Sequence, residues 1–174
     1  MQKDLRVVFH GDDFTLGGWE EDLDWFRDQS SNKDEVKFRG RLGEGETQGS
    51  SICILNRIFE WIEGKGIWYE SDPRHAEIII RDLGLKEGSK SLSTPGSREG
   101  NEFTGEVDPT HFRALVARAN YMAQDRSGTQ FAVKELCKKM SDPSEEDWGK
   151  LKRLGRYLVG CPRVRLWIPF EDPV

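Results

Sequence analysis

Only three cysteines occur in the 174 residues, Cys53, Cys137 and Cys161, far apart and in no metal-ligand spacing. Neither a disulfide framework nor a zinc site is therefore expected, and the three read as small packing or surface residues in a reducing compartment. Histidine is equally sparse. His10, His75 and His111 stand singly, which leaves an unrelated metal-dependent nuclease or phosphatase short of ligands. No apolar run approaches the length of a bilayer span, and no basic-then-apolar leader is present, so an intracellular, soluble protein is expected. Internal repeats and low-complexity tracts are lacking as well.

Charge is what the chain has in quantity. Charged residues make up 33% and hydrophobic ones 36%, with a mean hydropathy of −0.69, which is polar for a self-sufficient globule and suits part of something larger. The net charge of −5 is unevenly spread. Residues 1–110 carry 14 Lys and Arg against 23 Asp and Glu, whereas residues 111–168 carry 12 against 6. A block with that excess of cations can hold a phosphate backbone, although charge alone equally suits an ordinary solvated surface.

The apolar run Leu5–Phe9, the turn His10-Gly11-Asp12-Asp13 and the short segment Phe14–Leu16 read as a β-hairpin with two carboxylates at its tip. Paired carboxylates at a sheet edge offer the oxygen ligands that hard divalent cations prefer, and two such cations serve phosphoryl chemistry. By itself an Asp-Asp pair in a turn more often only solvates the turn. Gly17 and Gly18 lead into a helix over Trp19–Gln29, with Trp19, Leu23 and Phe26 on one face and acids elsewhere. A short strand, Val36–Arg39, and a Gly-rich loop over 40–49 follow; the loop lacks the Lys-Ser/Thr ending of a phosphate cradle.

Residues Ile52–Ile62 and Ile67–Tyr69, rich in β-branched and aromatic side chains, form a hairpin around Glu63-Gly64-Lys65-Gly66. A helix starts at Pro73, buries Ala76, Ile79, Ile80 and Leu83, and closes at Gly84. From Lys86 to Asp108 the composition is that of a linker. Beyond it, Phe112, Leu115, Val116, Ala119, Met122 and Ala123 mark one helix face and Ala132, Val133, Leu136 and Met140 a second. A capping box from Ser144 to Asp147 opens a third helix burying Trp148, Leu151, Leu154, Gly155 and Leu158 before Gly160 and Pro162 stop it. The face of the first helix opposite its core carries Ala114, Ala117, Arg118 and Tyr121. The third carries Lys150, Lys152, Arg153 and Arg156, with Arg163 and Arg165 after it.

These pieces stand in a recognisable order. His10-Gly11-Asp12-Asp13, Ser93-Thr94-Pro95, Leu115-Val116-Ala117-Arg118-Ala119-Asn120-Tyr121, and the block from Met140 to Leu158 resemble the reverse transcriptase of Ty1/copia-type retrotransposons, a likeness running from about Leu5 to Leu166. The resemblance implies an α+β fold: a partial polymerase palm of β-hairpins with helices, then a small helical thumb-like bundle. It divides the chain into a partial palm at 1–70, a helix and flexible linker at 71–108, and a helical thumb or connection-like block at 109–168.

What the family does supplies the expected chemistry, two-metal nucleotidyl transfer by an RNA-directed DNA polymerase. Asp12 and Asp13 would be catalytic and hold Mg²⁺ or Mn²⁺. Leu55, Asn56 and Arg57 would lie in a primer-grip-like segment. His10, Ala117, Arg118, Tyr121, Lys150, Lys152, Arg153 and Arg156 would contact nucleic acid. The implied partners are an RNA or DNA template-primer duplex, dNTPs, and an upstream palm half and fingers carrying a third aspartate. The implied location is the cytoplasm or retrotransposon particles. Departures from the family pattern are His10 for the usual Tyr, Gly11 for Val, Asn56 for Gly, and Arg126-Ser127-Gly128-Thr129 for an Arg-Pro-Asp turn. They suit a divergent lineage or, as the alternative reading, a catalytically dead remnant that at most binds nucleic acid.

Overall fold

The structure is a computed structural model that describes residues 3–33, 35–45, 48–86, 88–97, 105 and 107–171. Among these residues the fold is α+β, with two small antiparallel sheets and five α-helices. Two compact units divide the chain, Met1–Gly40 and Arg41–Val174.

The first unit pairs β1 (Leu5–His10) with β2 (Asp13–Gly18) in the register His10↔Asp13, so that Gly11 and Asp12 alone make the turn. Gly11 sits at φ +59°, where the β-branched valine usual in the family would be strained. The glycine thus defines this turn as much as it loosens it. Helix α1 (Glu20–Ser31) lays Leu23 and Phe26 toward the hairpin, and Phe26 meets the edge of Phe14 at 5.8 Å. Trp19 does not share that face: it caps the helix and is 74% exposed. No described residue of this unit is buried. The expected strand Val36–Arg39 does not form. Its Phe38 stays exposed beneath the Arg27 guanidinium instead of joining a sheet.

In the second unit a sheet of order β3-β4-β5-β6 is antiparallel throughout: β3 (Ser51–Ile54), β4 (Arg57–Ile62), β5 (Gly66–Glu70) and β6 (Arg165–Pro169). The expected single strand Ile52–Ile62 is two strands. Leu55 and Asn56 both take positive φ, 50° and 63°, and make a two-residue hairpin turn between Ile54 and Arg57. Asn accepts this conformation readily and Leu does not. Strand β6 was not expected. It returns to β5 in the register Glu70↔Arg165 through Gly66↔Pro169. A Cβ on Gly66 would run into the Ile168 carbonyl oxygen, so the close approach of β6 requires glycine there.

Four helices complete the unit: α2 (Arg74–Asp82), α3 (Pro109–Ala123), α4 (Gln130–Cys137) and α5 (Glu145–Gly160). Their core joins Ala76 and Ile79 of α2, all six apolar residues read on α3, Val133 and Leu136 of α4, and Trp148, Leu151, Leu154 and Leu158 of α5. The capping box forms as expected. The Asp147 N–H donates to Ser144 Oγ, and the Ser144 N–H donates to the Asp147 carboxylate at 3.0 Å. Within the segment read as a linker, residues 88–97 lie against α5: the Leu92 N–H donates to the Arg156 carbonyl, and Arg153 Nη2 donates to Thr94 Oγ1.

Candidate nucleic-acid interface

Asp12 and Asp13 occupy the hairpin tip of the first unit, both exposed. The Asp13 carboxylate lies 3.6 Å from Arg39 Nη2, an exposed pair of the kind that contributes little. His10 precedes them and is also exposed. Among the described residues no three His, Cys, Asp or Glu side chains gather closely enough to hold a metal ion. A hard divalent cation takes six or more oxygen ligands. Two exposed carboxylates, one beside a guanidinium, do not by themselves fit Mg²⁺ or Mn²⁺, and no catalytic step is assigned to them.

The second unit brings several of the other expected residues together. The turn that places Leu55 and Asn56 at the surface is followed at once by Arg57 on β4, which points across the sheet. Arg57 Nε donates to Tyr69 Oη and to Asp125 Oδ2, both at 3.0 Å, and Tyr69 Oη donates to Asp125 Oδ1 at 2.6 Å. Asp125 lies just beyond α3, so this triad ties the β3–β4 hairpin to the end of that helix. Burial pushes the Tyr69 hydroxyl up to about 12, helped by the neighbouring Asp125 carboxylate. Burial works against the Arg57 charge, but Asp125 and Tyr69 outweigh it and the guanidinium is held more firmly protonated than usual.

One helical turn back along α3, Arg118 and Tyr121 reach α2. The Tyr121 ring lies 4.7 Å from that of His75, and Arg118 Nη1 lies 3.3 Å from His75 Nδ1. A guanidinium can only donate, so Nδ1 is the acceptor and the neutral ring carries its proton on Nε2. That nitrogen is 3.9 Å from Asp72, which accepts a two-pronged contact from Arg74. Arg118 thus touches a half-buried imidazole that also feels the charges of Arg74 and Arg57. Arg118 has no carboxylate partner among the described residues, and Ala117 beside it is exposed. Arg74 and His75 belong to no sequence motif; His75 takes its contacts from α3, and Arg74 pairs with Asp72 just before its own helix.

Burial first, and then the three guanidiniums against the opposing pull of Asp72, hold the His75 pKa below its ordinary value. The folded protein therefore binds the His75 proton less readily than the unfolded chain. Stability from this group is full above the ordinary histidine pKa of about 6.5 and is lost as pH falls through that value toward the folded one. Thermal melts of the wild type should lose stability across that interval, and His75→Gln should flatten the dependence. Equal pH profiles for the two proteins would contradict the placement of His75.

The basic cluster read on and after α5 is less available than its sequence implies. Glu146 pairs with Lys150 at 2.6 Å. Arg163 makes a fork with Glu70, Nε to Oε1 at 2.5 Å and Nη2 to Oε2 at 2.8 Å, and Arg165 pairs with Glu60 over the Trp68 ring. Arg153 contacts the neutral Thr94 hydroxyl, and Lys152 and Arg156 are half-buried. Arg126 was noted only as part of a variant turn. It is 2% exposed and donates to the carbonyl oxygens of Cys161 and Pro162 at 3.0 and 2.5 Å. It satisfies the end of α5 where the chain turns toward β6.

No family model and no solved structure matches the chain. Curated relatives do. The chain is 40% identical over 55 residues to the retrovirus-related Pol polyprotein from transposon RE2 of Arabidopsis thaliana and 42% identical over 62 residues to that from transposon RE1. These likenesses support a retroelement Pol origin. They cover 32% and 36% of this chain and 4% of each polyprotein. An uncharacterized mitochondrial protein of the same plant, AtMg00810, is 31% identical over 93 residues, 52% of this chain and 38% of that protein. The chain therefore spans well under half of each of these relatives.

Proposed function

We propose that this retroelement-derived chain is a reverse-transcriptase segment, the later part of a palm followed by a thumb, and that its second unit holds a template-primer duplex. The observation that carries the reading is the grouping of Arg118 and Tyr121 of α3 against His75 of α2, with Arg57 and Arg74 held nearby by Asp125 and Asp72. Cations spaced along one surface suit phosphates, and an exposed tyrosine beside them suits a sugar or base face. The similarity to Pol polyproteins, which the residue motifs paralleled independently, supports the same assignment.

In an intact polymerase Asp12 and Asp13 would contribute two carboxylates to a Mg²⁺ or Mn²⁺ site completed by ligands from elsewhere, with dNTPs as substrates. The 174-residue chain tested by itself is expected to show no templated nucleotide incorporation with either ion, because two carboxylates leave a hard cation mostly hydrated and poorly positioned. Incorporation that Asp12→Asn abolishes would overturn this expectation. The second reading, a remnant that only binds nucleic acid, draws on the exposed hairpin tip and the Arg39–Asp13 pair. Primer extension after supplying the remaining palm and fingers in one polypeptide separates the two readings.

A further inference from the structure

Of the seven prolines in the chain, only Pro95 follows a serine or threonine. Thr94 before it is exposed and sits in the 88–97 segment that lies along α5. Its hydroxyl oxygen accepts from Arg153 Nη2 at 2.8 Å, which leaves the hydroxyl proton free to be exchanged for another group. On the same edge of that guanidinium, Arg153 Nε is buried and has no acceptor among the described residues. An arginine offers Nε and Nη2 together to a two-oxygen acceptor, as Arg163 does to Glu70 in this molecule. Thr94 presents one oxygen to a fork that can engage two.

We propose that Thr94 is a phosphorylation site for a proline-directed serine/threonine kinase, and that the resulting phosphate is latched by the Arg153 fork. In the transfer, Thr94 Oγ1 bonds to the γ-phosphorus of ATP as the bond to the bridging oxygen breaks. The hydroxyl proton passes to the kinase's base and ADP leaves, with nothing oxidised or reduced. The added dianion gives Nη2 a charged acceptor in place of a neutral one and gives Nε an acceptor it lacks. The 88–97 segment is then pinned to α5. A consequence that rests on the proposed duplex binding is that Arg153 is withdrawn from phosphate-backbone contacts, so modification weakens the grip on nucleic acid.

The test incubates the whole chain with such a kinase and ATP, maps the modification by mass spectrometry and follows amide exchange. Thr94 should take the phosphate and Thr94→Val should take none at that position. Exchange at Leu92 and its neighbours should slow roughly tenfold on modification, about what one charge-assisted hydrogen bond gives. In Arg153→Gln the phosphate should still be added but the slowing should vanish, while exchange in α3 stays as in the wild type and shows that the variant is folded. Failure to modify Thr94 while a Thr-Pro control peptide is modified would overturn the site, and equal slowing in Arg153→Gln would overturn the latch. Duplex titration of the modified chain reads the consequence separately. Unchanged binding removes the regulatory role, whereas absence of binding before modification counts against the proposed function and leaves the latch standing.

Discussion

A labelled RNA–DNA duplex titrated against the chain is expected to bind without sequence preference and to weaken steeply as salt rises. Phosphate contacts release condensed counterions, so each lost contact should make the log–log salt slope shallower by about 0.9. Arg118→Gln should show that change, since its half-buried guanidinium has, among the described residues, an imidazole and no carboxylate as partner. Tyr121→Ala should lower affinity and leave the slope almost unchanged, because the ring carries no charge. Replacing Lys152, Arg153 and Arg156 together by Gln should weaken binding to every sequence and flatten the slope by about 0.9 for each of them that reaches a phosphate. Lys150→Gln should do much less, because Glu146 already holds that ammonium. Binding absent at low salt, or unchanged from the wild type in both Arg118→Gln and the triple variant, would mean that the positive charge only solvates the surface.

Phe112→Ala is expected to cost about 3 to 5 kcal/mol, the range for deleting a buried aromatic ring, and thus to remove a large fraction of the stability of a domain this size. The ring is fully buried and meets Trp148 edge-on at 5.7 Å, joining α3 to α5. Phe9→Ala, at a residue 72% exposed in the first unit, should change stability by less than about 0.5 kcal/mol. Denaturant unfolding followed by circular dichroism checks both. A small loss for Phe112→Ala would place the stabilising core somewhere other than the helical block.

The helical block was legible because its faces repeat. Six apolar residues at helical spacing on α3 are the six that the fold buries, and the Ser144–Asp147 capping box signalled its own helix. These signals are local, so the sequence carries them without knowledge of the fold. The sheet was less legible for the converse reason. Arg165–Pro169 is five residues between prolines, and its partner lies 95 positions earlier at Glu70; nothing nearby marks it as a strand. Leu55-Asn56 turns without glycine, so the usual hairpin signal was absent. Val36–Arg39 alternates like a strand but has no neighbour to pair with. At the candidate interface, Arg57, Arg118 and Tyr121 were singled out by the family resemblance. His75 and the buried Arg126 acquire their roles only from residues distant in sequence.

The position of β6 has a consequence for how the chain is made. Strands β3, β4 and β5 are contiguous and leave the ribosome early, but the strand that covers β5 follows the whole helical bundle. At typical rates of about 5 to 20 residues per second, the flank of β5 stays bare for roughly 5 to 20 seconds of synthesis. A bare strand flank is a template for pairing with another chain. Nascent copies on one messenger would be vulnerable during that interval, and a stop placed before Arg165 would make the interval permanent.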